Sequence, residues 1–267
     1  MRFWLLSFMG FFLFCACEQK KKETFTQETK ENNKSSEFVD SFINKAQEID
    51  LLADKELTPV KSLRWEKNDE TSSSFVEVET FINEDGYPLK VVEYFSDGNY
   101  GKEGQKVYYL EENKVFAADY IYDEWIDSSN SILIEKQIFL EDEKPTYSRS
   151  RSADYIEDLV EAKWSEIRPE PIYPERAYDI LGGEEPFKTH FISTIEGQGS
   201  LFLLLGEPKK EDRYVTTVMV GEVTPFLEDL LNNKEKYKYR PIKISFDIVG
   251  GNGEPEFRVL RTAEWED

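Results

Sequence analysis

The chain has 267 residues, with 54 acids against 33 Lys and Arg and a formal charge of −21. A field of that sign disfavours nucleic acid and anionic lipid headgroups, whose binding rests on neutralising phosphates with Lys and Arg. One His, and two Cys that both lie within the first 17 residues, leave almost no zinc ligands and make any catalytic triad depend on His190.

The chain opens MRFWLLSFMGFFLFCAC. Arg2 and the α-amine form a positive start, residues 3–14 are apolar apart from Ser7 and Gly10, and Ala16 supplies a small residue before Cys17. That is the layout of a secretory signal peptide, and it is too short for a membrane-spanning helix of about 20 apolar residues. The ending Phe14-Cys15-Ala16-Cys17 resembles the lipobox of bacterial lipoproteins. The resemblance covers only these residues. It implies that 1–16 is removed as a signal peptide and that Cys17 is the lipid attachment site, carrying acyl chains such as palmitate. It also implies an exported, membrane-anchored protein of the bacterial cell envelope, facing the periplasm or the cell surface. No Cys follows Cys17, so disulfides do not account for it.

Residues 18–36 carry one large apolar side chain, Phe25, and cannot bury enough surface to offset ordering. The expectation for 17–36 is a lipidated Cys and a flexible tether. Within 37–54, Phe38, Phe42, Ala46, Ile49 and Ala53 recur at helical spacing and predict a helix that packs on the following sheet. From residue 60 the period becomes two. Strands are predicted over 60–65, 75–82, 89–95, 106–110, 115–122, 132–140 and 146–149, joined by short turns such as Glu112-Asn113, which argues for an antiparallel meander. A second helix is predicted over 154–167, closing a unit over 37–168, and Pro169, Pro171 and Pro174 mark 169–178 as a stiff linker.

In 179–267 the pattern reads three strands, a helix begun by Thr224-Pro225, then two strands. That order, with Tyr239-Arg240-Pro241-Ile242-Lys243-Ile244 as fourth strand, resembles an OB-fold barrel over about 80 residues. The fold expectation is α+β, mainly β: a meander sheet packed with two helices, followed by a small OB-like domain. The alternative is one larger α+β domain.

Sites are sparse. His190 lies on a predicted strand, and no G-x-S-x-G elbow is present. Asn83-Glu84-Asp85-Gly86 and Asp97-Gly98-Asn99 offer oxygens for calcium, but the same residues form ordinary turns. Gly250-Gly251-Asn252-Gly253 does not open a helix and is no phosphate loop. No cofactor or metal site is expected. The local basic cluster Lys234, Lys236, Lys238, Arg240 and Lys243, interleaved with Tyr237 and Tyr239, is the candidate ligand or partner contact, against a solvated face as the plainer reading. Tyr94, Tyr108, Tyr109, Phe116, Tyr120, Tyr122 and Trp125 could line a half-barrel cavity for a hydrophobic ligand. The leading expectation is a lipid-anchored, non-enzymatic binding or scaffold protein. The alternatives are a carrier of a hydrophobic ligand and, third, a carboxylate-only hydrolase.

Overall fold

A computed structural model describes residues 17–68, 72–98, 101–127, 129–197, 199–208, 213–251 and 254–266, with the backbone alone for 17–36 and 254. The expected signal peptide lies outside these residues. Helix α1 spans Cys17–Glu56. It is longer than the 37–54 expected, because it continues back through the stretch read as a tether. That stretch is rich in Glu, Gln and Lys, which favour helix even where nothing apolar is buried.

The fourteen strands of the described residues form one sheet. Its centre is the expected meander: β3 (Ser73–Ile82), β4 (Pro88–Ser96), β5 (Lys102–Glu111), β6 (Lys114–Trp125), β7 (Ser131–Glu141) and β8 (Lys144–Ala153). Each pairs antiparallel with the next. β1 (Val60–Lys61) and β2 (Trp65–Asn68) follow one another along the outer edge of β3. Between them the ladder is kept by Ser62, whose N–H donates to the Val78 carbonyl while its hydroxyl accepts from the Val78 N–H at 2.9 Å.

The helix expected over 154–167 is a correction. Only α2 (Ile156–Leu159) is helical, and β9 (Ser165–Ile167) turns back to pair with β8. An unpaired strand edge outcompetes a moderate helical pattern, since tertiary context overrides propensity. The Pro-rich stretch then runs into α3 (Glu175–Gly182). The remaining elements are β10 (Phe191–Gly197), β11 (Ser200–Gly206), β12 (Val215–Val220), α4 (Pro225–Asn232), α5 (Lys234–Tyr237), β13 (Ile242–Gly251) and β14 (Glu254–Trp265). The Thr224 hydroxyl caps α4 by accepting from the Leu227 N–H at 3.3 Å.

The barrel is a second correction. β12 pairs with β11 on one edge. On the other it meets β2 through Val215 and Glu66, then β14 in parallel through Met219 and Val220. The last five strands therefore extend the meander sheet instead of closing on themselves. One buried cluster runs through both parts, from Trp65, Val76, Tyr108 and Ile138 to Phe187, Leu203, Val218, Leu230 and Ile242. The contact pattern divides the chain after Gln47, and residues 48–267 form one compact unit. The Pro-rich stretch 169–178 lies inside the second unit. In the N-terminal unit, Phe38 and Phe42 meet edge to face at 4.5 Å.

The two faces of the meander differ. One carries Val78, Val91, Tyr108, Ala118 and Ile138, which join the core. A polar row crosses it: Glu93, Lys106, Tyr120 and Lys136 are direct cross-strand neighbours. The Pro-rich stretch and α3 supply its counterions, with Glu170 at 3.1 Å from Lys136 and Arg176 at 3.8 Å from the buried Glu93. The opposite face carries Glu77, Tyr94, Tyr109, Asp119, Glu135 and Arg151. The C-terminal turns of α1 are tied there by Asp50, which accepts from Lys90 at 2.7 Å and Tyr109 at 3.0 Å.

Candidate functional site

Among the described residues, two places bring exposed or incompletely paired groups together. The first is a corner at one end of the meander. Pairing of Trp125 with Ser131, and of Leu133 with Ala153, sets Ile126 and Asp127 and the start of α2 at the same sheet end. α2 packs beside β7 and β8. Leu159 points inward and is buried, and Arg151 donates to the Val160 carbonyl at 3.3 Å. Trp164 is held by Arg149 and Arg151, whose guanidiniums lie 4.3 and 4.4 Å from its ring centre.

This pinning leaves Ile126, Tyr155, Ile156 and Val160 exposed by 69, 65, 59 and 75%. Isolated exposed apolar residues are ordinary, but several sharing one end of a sheet mark a contact surface. The two segments are acidic: Asp123, Glu124, Asp127, Asp154, Glu157, Asp158 and Glu161 lie in them, with no Lys or Arg among residues 123–127 and 154–161, and Lys102 on β5 pairs with Glu124 at 3.5 Å. Asp127 accepts from the Asn130 side chain and from the Ser129 and Asn130 N–H groups, which hold its carboxyl below the usual range.

The second place is a cleft of about 540 Å³ at the fork where β12 passes from β2 to β14. Arg64, Glu66 and Glu77 line one side, Phe202, Thr217 and Met219 the floor, and Glu256, Phe257 and Arg258 the other side. Arg258 donates through Nη2 to Glu77 Oε1, and its side chain is 6% exposed. Burial, then the neighbouring Arg64, pushes its guanidinium down to about 10. Arg64 lies 3.8 Å above the Phe75 ring and 3.5 Å from Glu66. Lys61 bridges Glu79 at 2.7 Å and Glu256 at 2.9 Å.

The chain matches no protein-family model, no curated protein and no solved structure. The residues themselves carry the reading.

The residues singled out in the sequence fall elsewhere. Tyr237 is buried, stacks on Trp265 at 4.7 Å and donates to Asp229 at 2.6 Å, so its ring is core and not a ligand platform. Arg240 stacks on the same Trp265 at 4.6 Å. Lys236 sits against Tyr237, and Lys238 lies over Tyr239, whose φ is +67°. The cluster is thus split between packing and solvent.

The aromatic set does not line one cavity. Tyr108, Tyr120 and Tyr122 share the core face, Tyr94 and Tyr109 point to the other, and Trp125 is 40% exposed at the end of β6. His190 forms a bridge opposite Pro241. Asn83 accepts from the Tyr87 N–H at 2.8 Å, as a turn former does. The Asp97 N–H donates to the Lys102 carbonyl at 2.8 Å, whereas Asn99 lies outside the described residues, as do Asn252 and Gly253. Among the described residues no group of three acidic, His or Cys side chains is placed to hold a metal ion. No helix among them is long and apolar enough to cross a membrane.

Proposed function

We propose that this chain is a lipid-anchored, non-enzymatic protein of a bacterial cell envelope that docks a protein partner at the corner formed by Ile126 and Asp127 at the end of β6 and by α2. The exposed apolar set within two acidic segments carries this reading. Its occupant is an apolar segment flanked by Lys or Arg: the apolar side chains give contact area, and the acids other than the Lys102-paired Glu124 select the charge and speed the encounter. The same acids oppose an anionic membrane surface, which leaves the acyl chains on Cys17 as the membrane attachment.

The test uses membranes of cells making the full chain, solubilised mildly and resolved by size. The expected result is a complex larger than the 31.3 kDa chain, lost on Ile156→Glu plus Val160→Glu while the thermal melt is kept. A complex that survives the double substitution, or no complex at all, would overturn the docking claim. Flotation of the same variants with zwitterionic vesicles separates a lipid-facing corner from a protein-facing one. Acyl labelling that persists in Cys17→Ser would overturn the anchor.

A further inference from the structure

The fork cleft is independent of the corner and asks for a different kind of ligand. Its three carboxylates already have cations: Glu66 has Arg64, Glu77 has Arg258, and Glu256 has Lys61 at 2.9 Å. A cationic ligand would have to displace these. The donors are not so fully used. Arg258 is more than nine-tenths buried and lines the cleft, and among the described residues its Nε–H has no acceptor. A buried guanidinium N–H without an acceptor is costly and is rarely left so. Arg64 stands beside it with its side chain 42% exposed; its pairs with Glu66 at 3.5 Å and Glu77 at 4.0 Å lie at the solvent edge, where an entering acceptor can exchange with them. A carboxylate suits this pairing, because its two oxygens match planar N–H donors. A dianion suits it less well, since Glu66, Glu77 and Glu256 line the same cleft. The remaining wall is apolar: Phe202 and Met219 are cross-strand partners on the floor, and Phe257 is half-exposed at the side.

We propose that the cleft at the β12 fork binds a carboxylate carried on a short apolar stem. Arg258 and Arg64 take the carboxylate, and the stem lies along Phe202, Met219 and Phe257. The position follows from the topology. A strand whose edge is shared by two diverging partners leaves a crevice where neither completes the ladder, as at the switch points of open sheets. The volume, about 540 Å³, is in the range of small-molecule sites.

Met219 makes the test direct. The chain has Met at positions 1, 9 and 219, and the proposed cleavage before Cys17 leaves Met219 alone, so its methyl signal is unambiguous. The full chain, labelled with ¹³C at the Met methyls, is titrated with hexanoate, hexanol and hexylamine. A second pair, N-acetyl-leucyl-leucine with a free C-terminus and its C-terminal amide, distinguishes a free acid from the end of a polypeptide. The expected result is a saturable shift of the Met219 methyl with hexanoate or the peptide acid, and at least tenfold weaker effects from hexanol, hexylamine and the amide. Whichever acid binds more tightly names the source. Arg64→Gln and Arg258→Lys are each expected to weaken the acid about tenfold. If Arg258→Lys lowers the melting temperature, Arg64→Gln decides, because Arg64 is half-exposed and outside the core. A Met219 methyl that does not move, a shift equal for hexanol, or an affinity unchanged in Arg64→Gln would overturn the proposal.

Discussion

Glu77 on β3 accepts from Arg258 on β14, a partner 181 residues later in the chain. This contact fastens the first and last thirds of the sheet across the fork. Removing Glu77 leaves a buried guanidinium beside Arg64 with no counterion. Glu77→Ala is expected to cost about 3–5 kcal/mol, the usual penalty for breaking one side of a buried pair. Denaturation followed by far-UV circular dichroism and by Trp fluorescence should give coincident transitions in both proteins, because the two sheet regions share one core. Two separated transitions in the wild type would contradict this.

Asp119 lies on the face opposite the main core, across from Gln137, with Glu135, Asp50 and Arg149 around it. Burial, then Glu135, pushes its carboxyl from 3.8 up to about 7. Between those values the folded protein keeps a proton that the unfolded chain has released, so stability falls as pH rises through the window. Above pH 7 both states are ionised and the full cost of the partly buried charge is present. Asp119→Asn should therefore melt a few degrees above the wild type at pH 8, with the difference closing by pH 4, given about 2–4 °C per kcal/mol for a chain of this size. A constant difference across pH, measured by thermal melts, would count against it.

The β7–β8 turn is built on Asp142 and Glu143, with φ of +48° and +63°. A two-residue hairpin with both positions left-handed favours Asn-Gly, and a Glu there is strained. Glu143→Gly is expected to stabilise by about 0.5–1 kcal/mol in denaturant titrations, because relief of strain outweighs the added freedom of the unfolded chain. Destabilisation would show that the Glu143 side chain makes a contact that matters more.

Gly104 faces Tyr122 across β5 and β6, and a Cβ there would lie 2.5 Å from the Tyr122 Cα. The opposing atom is backbone and cannot step aside. Gly104→Ala should cost on the order of 2–3 kcal/mol, within the 1–3 kcal/mol typical of overpacking, and should raise hydrogen exchange in β5 and β6 first. Unchanged exchange there would contradict the close approach.

The meander was legible because its strands are half-buried. Ile134 and Ile138 face one way and Glu135 and Gln137 the other, a period that only a strand satisfies. The split of the aromatic set was legible as well, since Tyr108 and Tyr109 are adjacent on a strand and must face opposite sides. What could not be read was pairing at a distance. The helical pattern of 154–167 carries no sign that Ser165 to Ile167 would complete the β8 edge. Strand order alone cannot separate a closed barrel from β12 shared between β2 and β14. The cleft depends on that sharing, because Glu77 and Arg258 become neighbours only once β14 docks. The corner had a local trace: Asp154-Tyr155-Ile156-Glu157-Asp158-Leu159-Val160-Glu161 alternates acids with apolar residues that a buried helix would not leave acidic.

The central claim is that the corner touches a protein, and site-specific photo-crosslinking reads this most directly. A photoreactive residue replaces Ile156 in the anchored full chain, and a second version carries it at Tyr87, 51% exposed in the turn at the opposite end of the meander. The account predicts one discrete adduct from position 156, absent from position 87, mapping to an apolar segment of the partner bordered by Lys or Arg. Lipid adducts from position 156, or the same products from both positions, would contradict it.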